Sequence, residues 1–316
     1  MEDKKFLRKE SDWPVVLLYL YLHFSIVLCP FLLDEAMIST YLFGALLTFL
    51  GLLGTTVGAH RLWAHKTFVA NKKLKIFLMI CHTISGQGTI YNWVLQHRLH
   101  HKYFNTHLDP FNNTKSFLHL QTVTRTLKPA GGYETIKSEV ETEDLDNDCV
   151  VMFQKKYYWI MYPILVLLLP VNAPAEYWGE GLINSFIIIG VIRYLIGCHL
   201  SSFIETSAKL NICEPIEKNN DKALLNIIEN HKWATYHYLA PWDYQSGEFG
   251  YYGNDIFSKC IRLCENFGLA EGLKTLDRKT IGQALQIAKE TNKPVAECLM
   301  DSQFIDVKHS QFRRSH

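Results

Sequence analysis

The sequence predicts an all-α integral membrane protein, with four transmembrane helices in two hairpins and a helical cytoplasmic cap. Three observations predict this. Four apolar blocks approach or reach the roughly 20 residues that span a bilayer. The two short connections, 34–37 and 172–181, hold no Lys or Arg, whereas residues 60–156 hold 13. Hydrophobic residues make up 48% of the 316 and charged ones 20%, too apolar for a disordered chain. The 32 basic and 31 acidic residues leave a net charge of +1, without the basic excess of a nucleic-acid binder.

The elements follow in chain order. Residues 1–13 have mixed charge and read as a cytoplasmic N-terminus without a cleavable leader pattern. Residues 14–59 form the first hairpin, Pro14–Leu33 and Ile38–Ala59. Residues 60–156 form the first part of the cap. Within it, Leu74–Ile90 is apolar but broken by Gly86 and Gly88, so it is expected on or near the interface; 129–147 is polar and expected as a surface loop. Residues 157–204 form the second hairpin. Its Tyr157–Val171 block is short, contains Trp159 near its start and Pro163, and is followed by Tyr177; Leu182–Ile204 is full length. Residues 205–316 complete the cap, with helices expected at 221–240, 254–268 and 279–301. Thr280 and Gln283 have capping-box spacing for the last of these. Positive residues stay cytoplasmic, which puts both termini and 60–156 on that side. Eight cysteines without a CxxC pair read as reduced packing residues.

The histidines carry the chemistry. His60-Arg-Leu-Trp-Ala-His65 begins where the second apolar block ends, and His97-Arg-Leu-His100-His101 follows in the cap. On a helix, positions 97, 100 and 101 share a face. Neutral imidazole is a ligand for Fe, Zn and Cu, so two dense boxes beside membrane spans point to a metal site. No HExxH is present, which excludes the zinc-protease pattern.

HRLWAH and HRLHH resemble the first two histidine boxes of the membrane acyl-CoA desaturases of the stearoyl-CoA desaturase type. The stretch Asp144–Tyr158, Trp178-Gly-Glu, Arg193-Tyr, Pro241-Trp-Asp-Tyr244 and Glu248-Phe-Gly resemble later landmarks in the same order. The likeness covers roughly residues 12–275. It implies four spans and a cap holding two irons, and an O2-dependent oxidoreductase that places a double bond, near carbon nine, in a long-chain fatty acyl-CoA. It also implies a cytochrome b-type electron donor, an endoplasmic-reticulum membrane and oligomers with itself or with other desaturases.

The resemblance assigns metal positions to His60, His65, His97, His100, His101 and His237. Three family histidine positions differ: they are Lys209, Ala234 and Tyr238. Glu205 stands where the family has Asn; its carboxylate can ligate iron or pair with Lys209 four residues on. His199 and His231 are further imidazoles beside the lost positions. The CoA contacts also change. Trp93 is kept and Lys128 offers one basic contact, but Gly88, Leu95 and Gln96 stand for Asn, Arg and Asp. Three functions follow: a desaturase with an unusual shell, a lipid-binding or regulatory partner of an active desaturase, and a single-metal hydroxylase.

Overall fold

A computed structural model describes residues 10–302 except 34, 105, 107, 112–116, 128–132, 211–232 and 247–252. The chain forms two compact units, one of residues 1–64 and 72–206 and the other of 65–71 and 207–316.

Among the described residues of the first unit, four helices are long and apolar enough to cross a membrane: Trp13–Phe31, Ile38–Ala64, Cys149–Trp178 and Leu182–Ile204. They leave Leu17, Leu20, Phe24, Leu42, Leu46, Ile160, Leu169 and Ile183 exposed, as lipid-facing side chains require. The first is α1, Trp13–Leu32. The second begins as α2, Ile38–Leu53, and continues without a break as a wide-turned π-helix, Gly54–Ala64. It therefore runs five residues past the end of its apolar block and takes His60 inside the helix. Next come α3, Lys72–Ser85, and α4, Ile90–Lys102, then the short helices α5, Phe117–Thr122, α6, Tyr133–Lys137, and α7, Glu143–Asp146.

The third span starts at Cys149, eight residues before the block at 157, as α8, Cys149–Tyr162. Its first turns carry Gln154 and Lys155, polar residues that are satisfied sideways. Gln154 donates to Thr83 Oγ1 at 2.9 Å and accepts from Ile90 N–H at 2.7 Å, and Lys155 Nζ stands 3.3 Å from the Tyr91 ring centroid. Pro163 cannot donate to the preceding turn, and the helix widens at Pro163–Leu168 before α9, Leu169–Trp178. The fourth span is α10, Leu182–Ser185, a π-helical stretch Phe186–Ile192, and α11, Arg193–Leu210.

The turn between the third and fourth spans is tied to the start of the second by Glu180. Its carboxylate accepts from Thr40 Oγ1 at 2.6 Å, Met37 N–H at 2.8 Å, Gly181 N–H at 3.0 Å and Asn184 Nδ2 at 3.1 Å. Burial alone would raise this carboxyl, but the four donors outweigh it and hold it below its ordinary value. A carboxylate depressed in the folded state adds stability above the unfolded pKa and loses it as pH falls through the folded one. Glu180→Gln is therefore expected to lower stability by about 1.5–3 kcal/mol at pH 7. Melting in detergent should show the gap shrinking below the usual carboxylate range.

In the second unit, β1, Val69–Ala70, pairs antiparallel with β2, Ala270–Glu271. Its described helices include α12, Trp233–Leu239, α13, Ile256–Asn266, and α14, Arg278–Thr291. Its core gathers Tyr236, Trp242, Leu276, Ile281, Leu285 and Leu299. Of the helix expected at 221–240, the portion 221–232 lies outside the described residues. The cap of α14 is Asp277, whose carboxylate accepts from Thr280 N–H at 2.6 Å, rather than Thr280 itself. A carboxylate at the cap outcompetes the hydroxyl three residues on. The helix expected to reach 301 stops at Asn292, which is left-handed at φ 55°, with Pro294 close behind; helix resumes over 295–302.

Candidate metal centre

The first unit builds its histidine cluster on a close crossing of helices. A Cβ on Gly54 would stand 2.1 Å from His82 N and 2.4 Å from Cys81 C, so only glycine lets the second span meet α3 there. One turn earlier, a Cβ on Gly51 would meet Ser85 Cα at 3.2 Å. The π-helical stretch then carries His60, 1% exposed, beside α4. Such wide turns recur at functional positions because they rotate side chains out of the regular register.

Two anchors hold the end of that stretch. Trp63 Nε1 donates to Asp148 at 3.2 Å, and Lys75 Nζ approaches the same carboxylate at 2.7 Å. Asp148 also caps α8 through Val150 and Val151 N–H. From α4, Arg98 donates to the carbonyls of Trp63 and Ala64 at 2.7 and 3.3 Å and forks onto Asp144 at 2.9 and 2.7 Å. The arginine inside HRLHH is thus a positioning residue that locks the two boxes of this unit together.

His97 is the hub. Its ring centroid lies 4.6 Å from His60, 4.7 Å from His101 and 5.9 Å from His100. Trp93, one turn back on α4, stacks on it at 5.0 Å with 16° between planes. Trp93 is 6% exposed, so the structure gives it packing against the cluster. Burial, then the neighbouring His100 and His60, push His101 well below the ordinary histidine value. It is neutral at physiological pH, the form that binds metal.

Behind His100 stands a residue that the sequence did not single out. Asp109 Oδ1 lies 2.8 Å from His100 Nδ1 and also accepts from Phe111 N–H at 2.9 Å, with both side chains buried. A carboxylate against Nδ1 fixes the proton there and leaves Nε2 as the nitrogen able to bind metal, the usual second support of a metal-ligating histidine. The signal was present: Asp109 is the single carboxylate between His60 and Tyr133. Asp109→Asn is expected to weaken metal retention about 10–100-fold. Iron content after dialysis against chelator would check it, with Asp109→Glu recovering part of the loss.

In the second unit His65 and His237 lie 4.7 Å apart, centroid to centroid, with rings near perpendicular. Tyr238 lies 5.9 Å from His237 by the same measure. The motif Pro241-Trp-Asp-Tyr244 seats α12: Tyr236 Oη donates to Asp243 at 2.7 Å, and Tyr244 N–H donates to Lys274 O at 3.0 Å. Lys128 and His231 lie outside the described residues, as do the side chains of Glu205, Lys209 and Ala234. His199 is engaged inside the spans: its Nε2 lies 3.2 Å from His23 Nε2, and its Nδ1 lies 3.4 Å from Gln121 Oε1. Leu95, at the position of a CoA-binding arginine in the resemblance, is 1% exposed and part of the core.

The first unit brings four imidazoles into ring contact, with a carboxylate supporting one of them. Such a set suits Fe, Zn or Cu. No family model matches the chain. The chain is similar to the "Acyl-CoA Delta-9 desaturase" of Acheta domesticus, 32% identical over 279 residues, 85% of this chain and 76% of that protein. It is also similar to the "Acyl-CoA Delta12-desaturase" of the same species, 32% identical over 279 residues, 85% and 77% of the two chains. The "Stearoyl-CoA desaturase" of Homo sapiens is 29% identical over 286 residues, 89% of this chain and 77% of the relative.

Proposed function

The chain belongs to the acyl-CoA desaturase family, and from that premise we propose that it is a divergent member with one well-built and one depleted half of its metal shell. His60, His97, His100 and His101 would hold one iron. In the second unit the same reading assigns His65 and His237, a pair whose third-box neighbours are Ala234 and Tyr238. When bound, iron supplies the dioxygen-dependent oxidising power that removes hydrogens from an unactivated acyl chain. The protein's own part is to hold the imidazoles neutral and oriented, through burial, the Trp93 stack, Asp109 and the Arg98 fork.

The observation that carries the reading is the contrast between the four-imidazole cluster around His97 and the third box reduced to His237. Changes in outer support alone typically cost a metal site 10–100-fold, so missing ligands should cost more. Desaturation of a long-chain acyl-CoA, near carbon nine, with electrons from a cytochrome b-type donor, is therefore impaired. The Lys and Arg distribution supports a multi-pass protein with both termini cytoplasmic, and the family likeness supports the endoplasmic-reticulum membrane. A second reading is favoured by buried Leu95, which cannot offer a CoA phosphate the fork that arginine would. In that reading the chain binds lipid or pairs with an active desaturase, as a regulatory partner.

Expression in cells that lack their own acyl-CoA desaturase tests the proposal. The expected result is unsaturated fatty acid at a small fraction of the yield from an active relative at matched protein level. Equal yields would overturn it.

A further inference from the structure

Helix α13 of the second unit is apolar on two opposite faces. Its start is fixed by Asp255, whose carboxylate accepts from Phe257 and Ser258 N–H at 3.0 Å each. Phe257, Ser258 and Ile261 then turn inward and are buried. On the other side, Ile256, Cys260, Leu263 and Phe267 follow at i, i+4, i+7 and i+11, the spacing of a single stripe. Ile256 is 52% exposed, Leu263 53% and Phe267 71%. Cys260 stands within the stripe, half-exposed. Exposed Lys259 and Arg262 border it on one side, and half-exposed Cys264 on the other.

The chain says what such a stripe meets. Four residues, 65–68, separate the second membrane span from β1. β1 pairs with β2, which follows α13 after three residues, 267–269. The unit that carries α13 is thus joined to a membrane-spanning helix by a short covalent tether. An exposed apolar stripe bordered by basic residues is the pattern of a helix that lies in a lipid interface. A cysteine inside that stripe is where a thioester-linked acyl chain can run along apolar side chains instead of into water. Of the two thiols, Cys264 is the poorer nucleophile: burial, then the neighbouring Cys260, push it up, and the thiolate is the reactive form.

We propose that Cys260 is S-acylated by a long-chain acyl-CoA, and that Ile256, Leu263 and Phe267 seat the attached chain at a lipid surface. The Cys260 sulfur attacks the thioester carbonyl. The carbonyl–sulfur bond to CoA breaks, a new one to Cys260 forms, and the thiol proton leaves with the CoA as its free thiol. One acyl chain alone binds a membrane weakly and reversibly, so the stripe supplies the second contact. The modification is independent of the metal centre.

The test labels the full-length protein in eukaryotic cells fed an alkynyl palmitate. Wild type should take up label that neutral hydroxylamine, which cleaves thioesters, releases. Cys260→Ser should lose the label and Cys264→Ser keep it. Leu263→Ser with Phe267→Ser keeps the thiol and should lower labelling about tenfold. Wild type without hydroxylamine-sensitive label, beside an S-acylated control protein that is labelled, would overturn the proposal. So would wild-type labelling of Cys260→Ser or of the double variant. Should a variant fail to fold, the site is read on wild type: thiols are alkylated, thioesters cleaved, and the released thiols alkylated with a second reagent. Cys260 carrying the second reagent supports the site; Cys260 carrying only the first overturns it. Cys149, exposed at the head of α8, is scored on its own peptide.

Discussion

Gly54→Ala is expected to yield little or no folded protein, a loss of about 3 kcal/mol or more. The reason is geometric. The added carbon would stand 2.1 Å from His82 N and 2.4 Å from Cys81 C, and both are backbone atoms that cannot swing aside. Interiors are packed too closely to absorb such an overlap, so the second span and α3 must separate. Separation would also displace His60, which rides on the same helix two turns on. The measurement is the yield of monodisperse protein after size exclusion, with its melting temperature. Gly197→Ala is the control: nothing lies within 4 Å of a Cβ there, in the interior of α11. It should be neutral or stabilise by a few tenths of a kcal/mol, since alanine is the better helix former. A Gly54→Ala protein as stable as wild type would refute the close crossing.

His97→Ala is expected to remove iron from the first unit and abolish any turnover. His97 is the residue through which the other imidazoles meet, 4.6 Å from His60 and 4.7 Å from His101. Its loss would remove the proposed ligand and unstack Trp93 from the cluster. A metal affinity decrease beyond the 10–100-fold of outer-support changes is expected. Elemental analysis and circular dichroism, read together, separate lost metal from lost fold. A folded variant that keeps wild-type iron would show that His97 is not a ligand.

The spans were legible where apolar residues run unbroken. The first eight residues of α8 were not, because Gln154 and Lys155 look like loop residues until Thr83, Ile90 and Tyr91 are seen to satisfy them. The continuation of the second span through His60 was hidden for a similar reason. Arg61 and the histidines lower its hydropathy, yet all three of His60, Arg61 and Trp63 are buried. The metal-ligand candidates were legible because histidine boxes are local in sequence. Their supports were not: Asp109 belongs to a loop, Asp144 is 46 residues from Arg98, and His23 meets His199 only in three dimensions. The cap of α14 was not legible, because Thr280 fits a capping box and Asp277 stands out as the cap only once the helix start is known.

The most direct test of the depleted shell is the iron content of the purified full-length chain, measured beside an active relative prepared identically. The prediction is about one iron per chain, lost in His97→Ala, against two in the relative. Two irons per chain, retained through chelation, would contradict a depleted shell; none, from a folded preparation, would contradict the four-imidazole cluster as an iron site.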